Sequence, residues 1–288
     1  MGAKEVIQME LKRPARVAAI HDMSGFGRCS LTVVLPVLGA MGAECCPLPT
    51  AFLSAQTAFP KSDRAVFLDM TDQLARTGNH WQELGAEFDA IYSGFLGSET
   101  QIGLIGEFIG TFRREHTLVV VDPVMGDWGK PYRTYTPDLC RRMGELAGYA
   151  DVITPNLTEA AILLNEDYDP SPDQDKVCRW LERLSLKGTR SVVITGICPE
   201  PGTVGAACFD RASGEIAVPT ANREQGEYSG TGDLFASVML GALLRGDDLR
   251  AAAKLAVDFV QKCAAFTNAL GGDKREGVMF ERLLKDLV

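Results

Sequence analysis

The segment "YSGTGDLFASVMLGALL" (228–244) contains the residues best suited to phosphoryl chemistry. Gly230, Thr231, Gly232 and Asp233 open a strongly apolar run, which predicts a helix beginning at that point. The first turn of a helix leaves backbone N–H groups unpaired and carries partial positive charge, so it can hold a phosphoryl oxyanion. Asp233 could accept a proton from an attacking hydroxyl. The alternative is a plain helix cap, because Thr or Asp begins many apolar helices.

A first acidic segment is compatible with a metal–nucleotide site. In "DPVMGDWGK" (122–130), Asp122 and Asp127 follow the apolar run "TLVVV". Carboxylates at the end of a strand suit Mg²⁺, but the proline and glycines between them equally suit a turn. Lys130 lacks the G-x-x-x-x-G-K-[ST] frame of a Walker loop, so we interpret it only as a contact at the rim.

A second acidic segment has the same two interpretations. In "TPNLTEAAILL" (154–164), Asn156 and Glu159 are three residues apart, which places them together at the start of a helix. Both side chains can bind Mg²⁺, directly or through water. The alternative is that Asn156 or Thr158 caps the helix and Glu159 complements its dipole.

The segment "HDMSGFGRCSL" (21–31) predicts a loop around a small substrate, with Asp22 and Ser24 as hydrogen-bonding groups. It lacks the G-x-G-x-x-G pattern of a dinucleotide site, and a flexible turn is the alternative. His21 stands alone at a predicted strand end, so we interpret it as a structural residue.

Composition narrows the functional classes. The 288 residues carry a net charge of −9 and no basic run, which argues against nucleic-acid binding. A phosphate-bearing small ligand is still allowed, because backbone amides and Mg²⁺ commonly hold such ligands. Three histidines and eight cysteines without a C-x-x-C pair argue against a zinc site. Neither G-x-S-x-G nor H-E-x-x-H occurs, which disfavours hydrolases and metalloproteases.

The same features indicate the location of the protein. Scattered cysteines in a chain of this size are typical of a reducing compartment. No run reaches the roughly 18 apolar residues that a membrane span needs, and residues 1–13 form a polar extension. We therefore expect a cytoplasmic protein that has no membrane partner.

Strands and helices alternate along most of the sequence. Continuous apolar runs predict buried strands at 15–21, 88–94, 117–122, 150–155 and 190–195. Helical patterns lie between them at 29–42, 71–86, 99–115, 137–148, 158–165 and 173–187. This alternation predicts one α/β domain spanning 1–288, with a mostly parallel sheet between two helical layers.

Three segments depart from the alternation. Residues 205–210 and 215–220 predict an antiparallel edge hairpin, and a long helical pattern covers about 232–270. The proline-rich segment 43–70 predicts extra strands or a flap beside the site.

Many of the candidate residues follow predicted strands. In open α/β sheets, ligands bind where the strands end at their carboxyl edge. Five successive strand ends carry polar, acidic or glycine-rich residues, at 21–30, 93–99, 122–127, 154–159 and 195–200. These residues are therefore predicted to converge on one site.

Taken together, these motifs resemble the ribokinase-like superfamily of small-molecule kinases, and within it the vitamin B6 kinases. "SGFLGS" (93–98) is similar to the family's S/T-G-Y-x-G segment, and "TPNLTE" matches T-P-N-x-x-E. "DPVMGD" and "SGTGD" resemble its phosphate-site and base motifs, and "GAECCPLPT" (42–50) its stretch near the substrate ring. The resemblance covers nearly the whole chain in the family's order, and it implies a three-layer α/β/α sandwich.

The resemblance also implies roles for individual residues. Asp233 would be the base for the 5′-hydroxymethyl group of pyridoxal, pyridoxine or pyridoxamine, and the amides of Gly230, Thr231 and Gly232 would stabilise the γ-phosphoryl group. ATP and Mg²⁺ are implied, with a monovalent cation such as K⁺ left open, as is a homodimer. Metal ligands would be Asp122, Asn156 and Glu159. Other nucleotide contacts would be Asp127, Thr154, Thr195, Val218, Pro219, Thr220 and Ala221. The pyridine ring would lie among Asp22, Ser24, Thr50, Ser93 and Phe95.

One position departs from the B6 kinase pattern. Many of those enzymes have a serine where Asp22 stands, whereas "IHDMSGFG" partly resembles the D-x-S-G-G-x-G start of hydroxymethylpyrimidine kinases. Phosphorylation of hydroxymethylpyrimidine is therefore a second hypothesis, and a non-catalytic vitamer-binding protein is a third. An aspartate beside the ring further predicts a preference for pyridoxamine or pyridoxine over pyridoxal.

Overall fold

The computed structural model describes residues 13–60, 62–132, 135–186, 188 and 190–288. Most of the predicted N-terminal extension, residues 1–12, lies outside them. The strands are β1 (Arg16–Ser24), β2 (Glu44–Leu53), β3 (Phe67–Asp69), β4 (Ala90–Ser93), β5 (Leu118–Val121), β6 (Gly126–Asp127), β7 (Lys130–Pro131), β8 (Val152–Ile153), β9 (Ser191–Ile197), β10 (Thr203–Phe209), β11 (Ile216–Ala217) and β12 (Thr220–Asn222). The helices are α1 (Leu31–Ala40), α2 (Thr71–Glu83), α3 (Glu99–Phe112), α4 (Pro137–Ala147), α5 (Leu157–Leu164), α6 (Gln174–Leu184), α7 (Thr231–Arg245) and α8 (Leu249–Leu270). Short 3-10 turns follow at Lys274–Glu276 and Leu284–Leu287.

Ten strands form one mixed sheet in the order β11-β10-β9-β8-β5-β4-β1-β2-β3, with β12 paired to β10. The six strands from β9 to β2 run parallel. Antiparallel strands are added at both edges, β3 beside β2 and β10 beside β9. The predicted mostly parallel sheet and its antiparallel edge hairpin are confirmed, and the segment 43–70 supplies two strands.

Both faces of the sheet are covered by helices. Alternate residues of β1 point to opposite faces, so Val17 and Ala19 pack with α1, α7 and α8. Ala18 and Ile20 pack with α2 to α6 on the other face. The continuous apolar strands therefore report a sheet buried on both sides, and the predicted three-layer sandwich is confirmed. Within the part of the chain described, no helix is both long and apolar enough to cross a membrane.

The long helical pattern at 232–270 is two helices rather than one. Helix α7 ends at Gly246, which has φ of 99° and a backbone conformation that favours glycine. The Asp248 side chain then caps α8 by accepting a hydrogen bond from the amide of Ala251. The turn folds α8 back against α7, so both helices pack on the same face of the sheet.

Candidate active site

A cleft of about 780 Å³ runs along the carboxyl ends of the parallel strands. Most of the predicted site residues line it. The ring-side group that lines it is Asp22, Ser24 and Phe95. The predicted nucleotide and metal group is Asp122, Asp127, Thr154, Asn156, Glu159 and Thr195, and the segment Gly230–Asp233 also lines the cleft. The order of the strands places the ring-side group at the β1 and β4 ends and Thr195 toward the β9 end.

Two ring-side candidates lie behind the cleft wall. Thr50 is fully buried, and its Oγ1 donates a hydrogen bond to the carbonyl oxygen of Phe95 at 2.8 Å. Ser93 is also fully buried, and its hydroxyl has no hydrogen-bond partner among the described residues. Thr50 therefore supports Phe95 from behind, while Phe95 itself packs edge-on against Tyr135.

The four candidates from Val218 to Ala221 do not line the cleft. Val218 is 42% exposed, and the Pro219 carbonyl pairs with the amide of Ala206 in the sheet. The corresponding part of the cleft is lined instead by residues of β10, β12 and α8, namely Val204, Gly205, Asn222, Val257, Val260 and Ala264. Lys130 is exposed in β7 and does not line the cleft either.

Asp233 stands in the first turn of α7, half-buried at the floor of the cleft. Its Oδ2 accepts a hydrogen bond from the amide of Ser30 at 2.8 Å. Burial raises the pKa of Asp233 to about 7, against the lowering effect of the Ser30 N–H, and the neighbouring charge of Asp22 raises it further. A carboxyl group with such a pKa can gain and lose a proton near neutral pH, as a general base must.

The start of α7 faces a carboxylate across the cleft. Gly230 caps the helix with φ of 74°, and a Cβ on it would lie only 2.0 Å from the Arg28 carbonyl oxygen. A Cβ on Gly232 would lie 3.8 Å from Asp122 Oδ2, so that carboxylate is close to the first helical turn. The first N–H groups of a helix have no intrahelical partner. That they and Asp122 hold a phosphoryl group with its metal stays a prediction.

Asn156 and Glu159 form a capping box at the start of α5. The Asn156 side chain accepts from the amide of Glu159 at 3.0 Å, and Glu159 Oε2 accepts from the amide of Asn156 at 2.8 Å. Glu159 Oε1 also accepts from the amide of Met125, and Asn156 Nδ2 donates to the Gly126 carbonyl. The capping interpretation is therefore correct, and metal contact through the remaining lone pairs stays a prediction.

Within the part of the chain that the structure describes, the acids at this end of the cleft have no cationic partners. Burial raises the pKa of Glu159 to about 8 and raises the pKa of Asp122 well above its usual range, with the Glu159 charge adding to the latter effect. Asp127 is exposed, and its Oδ1 accepts from the amide of Trp128. Across the described ranges, no lysine or arginine forms an ion pair with these three residues. Such a cluster is stabilised when a cation binds beside it.

Magnesium would not be held by these side chains alone. Among the described residues, no three His, Cys, Asp or Glu side chains converge closely enough to hold a metal. The buried Thr154 hydroxyl lies beside Asp122, and its interaction with that carboxyl opposes the effect of burial on the pKa of Asp122. This donor set fits Mg²⁺ that is bound by one or two carboxylates together with phosphate oxygens and water.

The ring side of the cleft is centred on Asp22, which is 4% exposed. Its Oδ2 accepts from the Ser24 hydroxyl at 2.8 Å, and its Oδ1 accepts from the Ser30 hydroxyl. Burial raises the pKa of Asp22, and the two hydroxyl groups oppose that effect. His21 next to it is structural, as predicted: it is buried, packs edge-on against Tyr92, and burial lowers its pKa to about 3.

Sequence reasoning missed Ser30 and the segment that closes the cleft after α8. Lys274 and Arg275 line the cleft, the amide of Arg28 donates to the carbonyl of Glu276 at 2.9 Å, and Gln56 Nε2 donates to the carbonyl of Arg275. The only local sign was "GGDKREG" (271–277), a charged stretch between glycines that is equally typical of a surface turn.

Comparison with known proteins agrees with the geometry. A family model described as phosphomethylpyrimidine kinase matches residues 81–278. A Bacteroides thetaiotaomicron protein, provisionally described as a phosphomethylpyrimidine kinase and crystallised with pyridoxal, is 40% identical, with 95% of this chain and 96% of that chain covered and a TM-score of 0.91. Pyridoxal kinase from Lactobacillus plantarum is 32% identical over 95% of this chain and 96% of its own, with a TM-score of 0.86.

A curated relative extends the same pattern. Pyridoxine/pyridoxal/pyridoxamine kinase from Bordetella avium is 28% identical, and the alignment covers 87% of this chain and 85% of the relative. The chain therefore belongs to the phosphomethylpyrimidine kinase family, within the ribokinase-like small-molecule kinases that include the vitamin B6 kinases.

Proposed function

We propose that this protein transfers the γ-phosphoryl group of ATP to the 5′-hydroxymethyl group of a vitamin B6 vitamer. The observation that carries the proposal is the position of Asp233. It lies where the first turn of α7, the acidic cluster around Asp122 and the ring-side residue Asp22 meet in one cleft. The vitamer hydroxyl, which accepts the phosphoryl group, and ATP, which donates it, can meet at that point.

The chain's own groups account for the steps of the transfer. The vitamer binds beside Asp22 and Phe95, which directs its hydroxymethyl group toward Asp233. Asp233 takes the hydroxyl proton as the oxygen bonds to the γ-phosphorus, the bond from that phosphorus to the bridging oxygen of ATP breaks, and ADP leaves. The amides of Gly230, Thr231 and Gly232 hold the equatorial oxygens.

The nucleotide end is proposed from charge and shape. Mg²⁺ bound with ATP neutralises phosphate charge, and Asp122 would hold it, with Glu159 and Asn156 acting through water. Val204, Val257, Val260 and Ala264 offer apolar contact for the adenine base. Contacts from Val218 to Ala221, a K⁺ requirement, homodimerisation and a cytoplasmic location stay predictions.

Support for the vitamer comes from the relatives. The protein crystallised with pyridoxal is 40% identical over nearly the whole chain, and the Lactobacillus plantarum relative is a pyridoxal kinase. The alternative substrate is hydroxymethylpyrimidine or its phosphate. Two observations favour it. The matching family model is described as phosphomethylpyrimidine kinase, and the segment "IHDMSGFG", which contains Asp22, resembles the start of the hydroxymethylpyrimidine kinases.

The test is a panel of ATP-dependent phosphorylation assays with pyridoxal, pyridoxine, pyridoxamine and hydroxymethylpyrimidine. Product phosphate esters are measured by mass spectrometry and ADP by a coupled assay. We expect kcat/KM for at least one B6 vitamer to exceed that for hydroxymethylpyrimidine. The reverse order would favour the alternative, and ADP release without any phosphate ester would contradict both.

A further inference from the structure

Ser30 has a backbone conformation that serine rarely adopts. Its φ is 49° and its ψ is −133°, in the region of positive φ that favours glycine. Such residues persist only where surrounding contacts hold them, and they cluster at active sites. Ser30 is 5% exposed and lines the cleft.

The side chain of Ser30 does not cap the helix that follows it. A serine before a helix ordinarily accepts a hydrogen bond from one of the first helical amides. The Ser30 side chain makes no such bond to α1, whereas its backbone carbonyl accepts from the amides of Val33 and Val34 at 2.9 Å. Its hydroxyl donates to Asp22 Oδ1, and its amide donates to Asp233 Oδ2 at 2.8 Å. Both of its donors are therefore used by carboxylates of the site.

We propose that Ser30 is a positioning residue, and this inference rests on the proposed function. Ser30 aligns the ring-side carboxylate of Asp22 with the carboxylate of the base Asp233. Its side chain, bonded to Asp22, keeps the backbone at positive φ. That backbone in turn directs the N–H toward Asp233. The ring-binding group and the base are thus aligned through one residue.

Two substitutions separate the side chain from the backbone. Ser30→Ala removes the hydroxyl but keeps a Cβ, so the released backbone relaxes away from positive φ and the N–H leaves Asp233. Ser30→Gly also removes the hydroxyl, but glycine adopts positive φ without strain and the N–H stays in place. The alanine variant therefore loses both alignments, and the glycine variant loses one.

Ser24 provides a matched control. Its hydroxyl donates to the other oxygen of Asp22, Oδ2, at 2.8 Å. It makes no hydrogen bond to Asp233 among the described residues. Ser24→Ala should therefore remove one hydrogen bond from the Asp22 carboxylate, as the two Ser30 substitutions do, while leaving the base aligned.

The experiment is steady-state kinetics of wild type and these three variants with the preferred vitamer, together with their melting temperatures. For Ser30→Ala we expect vitamer KM to rise and kcat to fall, each by about tenfold or more. For Ser30→Gly and Ser24→Ala we expect KM to rise by a similar factor, with kcat within about threefold of wild type. The KM for ATP should not change, because the nucleotide end is untouched.

A wild-type kcat in a folded Ser30→Ala variant would overturn the proposal. An equal loss of kcat in the glycine and alanine variants would overturn it as well. If Ser30→Ala does not fold, the glycine variant decides alone, since a kcat clearly below that of Ser24→Ala contradicts the assignment. A wild-type protein that phosphorylates no vitamer would overturn the proposed function itself, and this inference with it.

Discussion

Asp22 and Asp233 are bonded to the same serine, one through its hydroxyl and the other through its amide. The first carboxylate lies near the end of β1 and the second in the first turn of α7, so 211 positions of sequence separate two groups that must act on one substrate. Because they are close, the charge of Asp22 raises the pKa of Asp233. The ring-binding residue thereby influences the strength of the base.

The pH dependence of catalysis should report this coupling. Asp233 accepts a proton only when ionised, and its pKa in the free protein is about 7, so kcat/KM for the vitamer should rise with pH through about 7 and then level off. Asp22→Asn removes a negative charge, which lowers the pKa of Asp233 and moves the acid limb to lower pH. Profiles of kcat/KM between pH 5 and pH 9 measure this shift, with the exposed Asp138→Asn as control. An acid limb that stays in place or moves upward would contradict the coupling.

Asp22 should also influence which vitamer is preferred. Its carboxylate is stabilised by two serine hydroxyls and can attract the protonated amine of pyridoxamine or a protonated pyridine nitrogen. Asp22→Ser should therefore lower kcat/KM for pyridoxamine relative to pyridoxal by about tenfold. The three vitamers are compared side by side in wild type and variant. An unchanged ratio would show that Asp22 does not set the preference.

Gly230 and Gly232, at the start of α7, should respond differently to substitution by alanine. In Gly230→Ala the new methyl group would lie 2.0 Å from the Arg28 carbonyl oxygen, and residue 230 has a positive φ. The backbone at this position must therefore shift. We expect loss of activity and a free energy of unfolding lower by about 2 kcal/mol or more. In Gly232→Ala the nearest atom is Asp122 Oδ2 at 3.8 Å, so the fold should tolerate the methyl.

The Gly232 methyl would nevertheless lie where the phosphoryl group is proposed to bind. Gly232→Ala should therefore keep the wild-type melting temperature and lose kcat/KM, by about tenfold or more. Thermal unfolding and kinetics of both variants check this pair. Full activity in Gly232→Ala would show that the phosphoryl group does not bind beside Gly232.

His21 should make the fold sensitive to acid. Its pKa is about 3 when folded and about 6.5 when unfolded, so the unfolded chain binds a proton first as the pH falls. Stability is therefore lost as the pH drops from about 6.5 toward 3, by about 1.4 kcal/mol per pH unit. The buried carboxyls with raised pKa values act in the opposite direction, but they are present in both wild type and His21→Leu.

The comparison with His21→Leu isolates the histidine. Between pH 7 and pH 5, wild type should lose about 2 kcal/mol of unfolding free energy relative to the variant in urea titrations. An equal difference between the two proteins at both pH values would show that His21 titrates normally.

Much of the fold was predictable because it depends on local patterns of apolar and polar residues. Continuous apolar runs mark strands buried on both faces, and β1 contributes alternate residues to the two cores. The division of 232–270 into two helices was missed, although "RGDD" (245–248) contains a glycine and a capping aspartate. An apolar pattern on both sides outweighed that short break.

The site was predictable as a set of strand ends, but its contacts were not. Asp22, Asp122 and Asp233 lie in one cleft, as their positions after strands and before a helix implied. Thr50 supports Phe95 from behind and does not line the cleft. This was not predictable, because the sequence does not tell which face of a strand end a side chain takes. The role of Ser30 depends on a positive φ and on bonds to distant residues, neither of which local sequence reveals.

The most direct test of the account is Asp233→Asn. The amide keeps the size of the side chain and can still accept the Ser30 hydrogen bond, but it cannot take a proton. The account predicts a kcat for the preferred vitamer that is about 10²- to 10⁴-fold lower, with the vitamer Kd within about threefold of wild type. Near-normal turnover in this variant would contradict the assignment of Asp233 as the base.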